Sequence, residues 1–130
     1  ALVKDQTAPA KSAANDLVQL LAKLQSSSLK GSEKSAWEVL SKKFNDAAGK
    51  LKSAKDIAEL RKHFEQLSAE VIFFTENYGV NQKLVYKDYF PMAFNNKGAY
   101  WLSETEEITN PYFGASMLAC GEVTQTYSKK

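Results

Sequence analysis

Apolar residues recur at helical spacing through the first 78 positions of the chain. They fall three or four positions apart in three successive runs, the spacing that places side chains on one face of an α-helix. The three runs are Ala10, Ala14, Leu17, Leu21 and Leu24; Trp37, Leu40, Phe44, Ala47 and Leu51; and Ile57, Leu60, Phe64, Leu67, Val71 and Phe74. The pattern predicts helices at about residues 7–25, 35–51 and 54–78.

Polar residues at the ends of these runs predict where the helices begin and end. Ser35 followed by Glu38, and Ser53 followed by Asp56, have the three-residue spacing of a capping box at a helix N-terminus. Gly79 follows the third run and is suited to end a helix, because glycine readily adopts a left-handed backbone.

The linkers between the three runs are only a few residues long. Short connections place consecutive helices side by side and antiparallel. With 130 residues the chain has the size of one domain with a core of its own. The predicted fold is therefore mainly α, a single domain over residues 1–130 built on an antiparallel three-helix bundle.

Beyond Gly79 the helical pattern stops. Residues 84–86 and 99–102 are short apolar runs separated by the turn sequence Asn-Asn-Lys-Gly, which is typical of short strands. A brief helical turn is expected near 115–118 and a last strand near 122–126. We predict that this capping tail, residues 80–126, folds over the bundle as an irregular segment with short strands and covers its open face, with Trp101 packed on the bundle.

Charge gives no indication of a nucleic-acid partner. The formal net charge is +2, and the 17 basic and 15 acidic residues are interspersed without a run of five like charges. No segment reaches the eighteen or so consecutive apolar residues that a membrane-spanning helix needs. The single cysteine excludes a disulfide within the chain and does not place the protein in a redox compartment.

The sequence contains no motif typical of an enzyme. A glycine-rich phosphate loop, a nucleophile motif and the HExxH zinc motif are all absent, and the one histidine has no recognisable catalytic partner. We therefore predict a protein without catalytic activity.

Sulfur-containing side chains are concentrated in the tail. Thioethers and thiolates are soft ligands that favour Cu(I), so Met92, Met117 and Cys120 could together hold a monovalent metal ion. His63, on the flank of the third helix, is a further candidate ligand. The alternative is structural: methionine commonly fills gaps in a core, a lone cysteine is often a small buried apolar residue, and a single flanking histidine usually makes a local hydrogen bond.

Four ordered motifs in the tail resemble a known family. They are Pro-Met-Ala at 91–93, Gly-Ala-Tyr-Trp-Leu at 98–102, Asn-Pro-Tyr-Phe-Gly at 110–114 and Met-Leu-Ala-Cys-Gly at 117–121. Upstream, Arg61, Phe64, Leu67 and Ser68 are similar to the same family's third-helix pattern. From about Ala14 to Val123 the chain thus resembles the DUF3347 family of bacterial envelope proteins.

The resemblance implies a location and a role. Members occur alone and as domains on periplasmic adaptor subunits of heavy-metal efflux systems. This implies a periplasmic or cell-envelope protein that handles copper or another heavy metal and works with an efflux or envelope partner.

One residue departs from the family pattern. Where the family usually has Tyr-Cys-Pro-Met, this chain has Tyr89, Phe90, Pro91 and Met92, so a ring replaces a sulfur ligand. If the family binds metal through that cysteine, this chain keeps only the thiol of Cys120. If the family's two cysteines form a disulfide, Cys120 is here a free thiol.

A second hypothesis involves no metal. Aromatic residues are enriched at protein interfaces, and the tail holds a surplus of them. In this interpretation the tail is a protein-interaction or structural domain, with an exposed aromatic surface formed by Tyr86, Tyr89, Phe90, Phe94 and Tyr112. Arg61 is predicted to be structural in either case, with its planar guanidinium holding carbonyls or a carboxylate of the tail.

Overall fold

The computed structural model describes residues 1–23 and 29–130 and contains the three predicted helices. They are α1, Thr7–Lys23; α2, Ser32–Ser53; and α3, Ile57–Tyr78. The predicted end of the first helix, at 25, lies outside the described residues. The helix α2 begins three residues before its predicted start and ends two residues after its predicted end, and α3 begins three residues after its predicted start.

The capping box predicted at Ser35 is wrong. The Ser35 hydroxyl lies inside α2 and donates to the carbonyl of Gly31, at 3.5 Å. A serine that bonds back to the carbonyl four residues earlier does not satisfy the free N–H groups of a helix start. The helix α2 therefore begins at Ser32, directly after Gly31, without a side-chain cap.

Asp56, rather than Ser53, caps α3. Its carboxylate accepts a 2.8 Å hydrogen bond from the N–H of Glu59, whereas the Ser53 hydroxyl donates to Gly49 at the end of α2. At the other end, Gly79 has a φ of 80° and its N–H donates to Thr75. The predicted end of α3 is thus confirmed and its predicted start moves to Ile57.

The helices meet in a first hydrophobic core, here called the helical core. The helix α2 packs against both α1 and α3, and Leu60 of α3 is fully buried at their junction. Alanines on α1 allow close approach because they leave little side chain between the backbones. The core consists of Leu2, Ala10, Ala14, Leu51, Ala54 and Leu60, with Ile57, Phe64 and Leu67 packed against it.

The tail is more regular than the sequence predicts. It forms a three-stranded antiparallel sheet from β1, Val85–Phe90; β2, Ala99–Ser103; and β3, Glu122–Tyr127, in the order β2-β1-β3. A short turn at Ala93–Asn96, in which Phe94, Asn95 and Asn96 have left-handed backbone conformations, joins β1 to β2. A 3-10 turn at Gly114–Met117 precedes β3. The predicted strands and helical turn are confirmed, and their pairing makes one sheet.

A second hydrophobic core, the sheet core, lies on one face of this sheet. Phe90, Ala93, Ala99, Trp101 and Tyr112 are its buried members, and Phe64, Phe94, Ile108 and Met117 pack against it. Phe64 belongs to α3 and also borders the helical core; its ring lies 5.7 Å from that of Tyr112. The tail therefore packs on the helices through this ring, as the covering prediction requires.

Arg61 links three separate parts of the chain. Its Nε donates to the carbonyl of Pro111 at 2.9 Å, and its Nη2 donates to the carbonyl of Leu2 at 3.2 Å and to Asp5 Oδ1 at 2.6 Å. The other oxygen of Asp5 accepts from the N–H of Ala115 at 3.1 Å. The structural role predicted for Arg61 is confirmed, and the carboxylate that it holds is that of Asp5.

No helix among the described residues is long and apolar enough to cross a membrane.

Candidate functional site

The antiparallel sheet brings the sulfur residues to one end of the tail. Tyr89 of β1 is paired with Glu122 of β3, so the chain leaves β1 where it enters β3. Met92 follows this pair and Cys120 precedes it. The two segments run close together there, since a Cβ atom on Gly121 would lie 3.0 Å from the carbonyl oxygen of Tyr89.

Met117 and Cys120 share one turn of the chain. The N–H of Cys120 donates to the carbonyl of Met117 at 3.2 Å, directly after the 3-10 turn. Met117 is half-buried against the sheet core, whereas Cys120 is an exposed free thiol and Met92 is 49% exposed. The backbone thus places two solvent-accessible sulfur residues and one partly buried one at the same end of the sheet.

Phe90 belongs to the sheet core and not to an exposed surface. It is only 2% exposed and its ring meets the ring of Phe113 edge to face at 5.3 Å. In the ladder Phe90 lies opposite Ala99, and Asp88 lies opposite Trp101. These side chains point to the covered face because alternate residues of a strand share a face. The predicted exposure of Phe90 is therefore wrong.

Tyr112 is also buried, contrary to the prediction of an exposed aromatic surface. It is 5% exposed, and its hydroxyl donates to the carbonyl of Tyr100 at 2.6 Å. Burial raises the pKa of the Tyr112 hydroxyl above its usual range. Tyr112 fixes the segment after Pro111 to the edge strand β2, which is an architectural role.

The other predicted aromatic residues are only partly exposed. Tyr86, Tyr89 and Phe94 are half-buried. The Tyr89 ring packs on Tyr100 with centroids 4.5 Å apart, and Lys87 Nζ lies 5.0 Å from the centroid of the Tyr100 ring. Tyr100 is 42% exposed. The sequence analysis did not identify Tyr100 as exposed. Because successive residues of a strand point to opposite faces, Tyr100 points away from the face that Ala99 and Trp101 share.

His63 makes its hydrogen bond within its own helix. Its Nδ1 lies 3.2 Å from Gln66 Oε1, one turn further along α3, and the residue is half-buried. This is the local arrangement that the structural alternative describes. Among the described residues there is no group of three or more His, Cys, Asp or Glu side chains able to hold a metal ion.

Asp88 is a buried carboxyl group that sequence reasoning missed. It is 0% exposed, and neither carboxylate oxygen has a hydrogen-bond partner among the described residues. It lies in β1 between Trp101 on β2 and Val123 on β3. Burial raises the pKa of Asp88 to about 6, because desolvation disfavours the charged form. The one signal in the sequence was an acidic residue two positions before Phe90, on the same face of the strand.

The helical layer and its covering sheet define a mainly helical domain with no membrane-spanning helix among the described residues. The profile of one family, described as a protein of unknown function, DUF3347, matches residues 1–83. The chain belongs to this family. The matched range includes Arg61 and Phe64 and ends just before β1, so the four tail motifs lie outside it. No curated protein and no solved structure matches the chain.

Proposed function

We propose that this domain is a non-enzymatic protein of the bacterial cell envelope that binds a soft metal ion, Cu(I) or a chemically similar ion. Its ligands are the sulfur atoms of Met92, Met117 and Cys120. The observation that carries the proposal is the convergence of these residues, from two separate segments, at the end of the sheet where β1 meets β3.

The chemistry of the three side chains suits this role. A thiolate and thioethers select soft ions such as Cu(I) over hard cations. Cys120 and Met92 are exposed and can change ligands with a partner protein, while Met117 is partly fixed against the sheet core. Phe90 supplies no donor and has no place in the ligand set, because its side chain fills the sheet core.

The resemblance to envelope proteins suggests where such a site would work. We infer that the domain receives or delivers a soft ion in the periplasm or envelope, with an efflux or envelope protein as its partner. An exposed thiolate site of low coordination number favours transfer between proteins over permanent storage.

The test is an anaerobic Cu(I) titration of the reduced protein in competition with a chromophoric chelator. The proposal predicts that one ion binds, that Cys120→Ala abolishes competition, and that Met92→Leu and Met117→Leu each weaken it. His63→Gln is the matched control and is expected to leave binding unchanged. Absence of competition by the native protein, or equal competition by Cys120→Ala, would overturn the proposal.

A second function is favoured by the exposure of apolar side chains on the same segments. Met92, Phe113, Leu118 and Val123 are between 37% and 49% exposed. Apolar side chains that flank one surface region are common at protein interfaces. In this alternative the sheet end binds a protein partner without metal, and the same titration distinguishes the two functions because only the first predicts competition.

A further inference from the structure

The strand β3 forms an open edge of the sheet. In the order β2-β1-β3 it pairs with β1 on one side, and no other described strand pairs with its outer side. Residues 122–126 are all exposed and Tyr127 is half-buried. The outer edge therefore offers a row of backbone groups to another strand.

The composition of β3 lacks most of the features that prevent an exposed strand edge from pairing with another strand. Lysine, proline and glycine are absent from residues 123–128, and Val123, Thr124, Thr126 and Tyr127 all favour extended structure. One protective feature is present, an irregularity in the β1–β3 register next to Asp88. It lies in the first half of β3, and the pairing of Gln125, Thr126 and Tyr127 with β1 is regular.

Two hydrogen bonds establish which groups of β3 point outward. The Thr124 hydroxyl donates to the carbonyl of Lys87, so the backbone groups of Lys87 face β3. Gln125 is paired with Lys87, and its backbone N–H and C=O groups therefore face β1. Further along, the N–H of Lys129 donates to the carbonyl of Gln82. Because backbone direction alternates along a strand, Thr126 and Ser128 point their N–H and C=O groups away from β1.

A groove lies next to the second half of β3. It has a volume of about 460 Å³ and lies between the end of α3 and the second half of β3. Tyr78, at the end of α3, is 50% exposed there.

We propose that β3 pairs with β3 of a second copy of this chain, antiparallel and centred on Thr126, to form a continuous six-stranded sheet. This register places the outward-facing Thr126 residues of the two copies opposite each other, and opposing β-branched residues stabilise antiparallel pairs. Such an interface is isologous, since the same surface is used by both copies.

Charge complementarity argues for a second copy rather than another strand. Glu122 is the acidic residue at one end of β3, and Lys129 and Lys130 follow its other end. Because the bulge adds one residue to β3 at Thr124, antiparallel pairing about Thr126 brings Glu122 of each copy opposite Lys129 of the other copy, with Lys130 adjacent to it. The middle of the strand carries no charge, so nothing repels the two copies there.

The interface is small, and we expect a weak dimer, as for contacts that bury little surface. Sedimentation equilibrium of the reduced protein, from micromolar to millimolar concentration, measures its dissociation constant. Thr126→Pro removes an outward N–H in each copy without touching the β1 ladder and should raise the dissociation constant about tenfold or more.

A charge exchange tests the register. Glu122→Lys alone and Lys129→Glu with Lys130→Glu should each weaken the dimer, and the triple variant should restore it, because the favourable pairs are rebuilt with opposite sign. All these residues are at the edge or beyond it, so circular dichroism should show an unchanged fold. A protein that remains monomeric at millimolar concentration would overturn the proposal, as would a dimer that is indifferent to Thr126→Pro or a triple variant without rescue.

Discussion

Asp5 and Arg61 are 56 positions apart in the chain and are joined by a hydrogen bond of 2.6 Å. The same guanidinium binds the carbonyls of Leu2 and Pro111. One side chain of α3 thus holds both the N-terminal turn and the covering tail. Two hydrogen bonds lower the pKa of Asp5 below its usual value. The larger effect comes from the side chain of Arg61 and the smaller from the N–H of Ala115.

Replacing Arg61 by alanine should destabilise the protein. The substitution leaves the carbonyls of Leu2 and Pro111 without their donor, which costs about 1–3 kcal/mol of unfolding free energy. Arg61→Lys should recover only part of the loss, because an ammonium group cannot reproduce the planar fork. Urea unfolding measures both, with Lys62→Ala at the exposed neighbouring position as control; an equal effect of Lys62→Ala would contradict the assignment.

Asp88 should make stability fall as the pH rises. Its pKa is about 6 in the folded protein and 3.8 without burial, so the folded state favours the protonated form. The stabilisation that comes from burying the protonated carboxyl is fully present below pH 3.8 and is lost as the pH rises through 6. The free energy of unfolding falls by at most about 3 kcal/mol by pH 8 for this reason. Asp88→Asn should remove this decrease and stabilise the protein at neutral pH.

The measurement for Asp88 is the difference in unfolding free energy between native protein and Asp88→Asn at several pH values. Taking the difference cancels the acid-side losses from Asp5 and Glu76, whose carboxyl pKa values are lowered by hydrogen bonds to Arg61 and Lys87 respectively. If the two proteins show the same pH dependence, Asp88 is not the responsible group.

Phe90→Ala should lower the free energy of unfolding by about 3–5 kcal/mol, the range for removing a buried aromatic ring. Phe90→Cys, which introduces the residue that the resemblance of the tail motifs implies here, should also destabilise because a thiol leaves part of the ring's volume empty. Thermal unfolding measures both. Phe113→Ala is the comparison, since this partner ring is already 38% exposed and its loss should cost less; a reversed order would place position 90 outside the core.

Substitution by alanine should destabilise the protein at Gly98 and stabilise it at Gly49. Gly98 has a φ of +78°, and a Cβ atom there would overlap the Tyr89 side chain, so Gly98→Ala should be destabilising by roughly 1–3 kcal/mol. Gly49 lies inside α2 with nothing within 4 Å of such an atom. Gly49→Ala should therefore stabilise by about 0.5–1 kcal/mol. Chemical denaturation of the two variants checks the contrast.

The helices could be predicted because apolar spacing depends only on local geometry. Their starts were less predictable, since Ser35, Ser53 and Asp56 all have the chemistry of a cap and only Asp56 meets a free N–H group. The choice depends on where the preceding helix ends, which a local pattern does not contain.

In the tail, too, some features could be predicted from local sequence and others could not. Its strands were predictable from short apolar runs bounded by turn residues. Their pairing, and with it the direction of each side chain, depends on contacts between distant segments. Phe90 and Tyr112 were therefore predicted to be exposed and are buried, while the buried carboxyl of Asp88 was not expected. The sulfur residues were chosen by their chemistry, and the β1–β3 register brings their backbones to one end.

The shared position of Phe64 has a consequence for how the protein unfolds. Its ring borders both the helical core and the sheet core, and Arg61, one turn earlier, ties α3 to Pro111. Cooperative unfolding of the two halves depends on such shared contacts, since regions joined by few of them open separately. Phe64 therefore couples the two halves thermodynamically: its ring is one of the contacts through which the loss of one core destabilises the other.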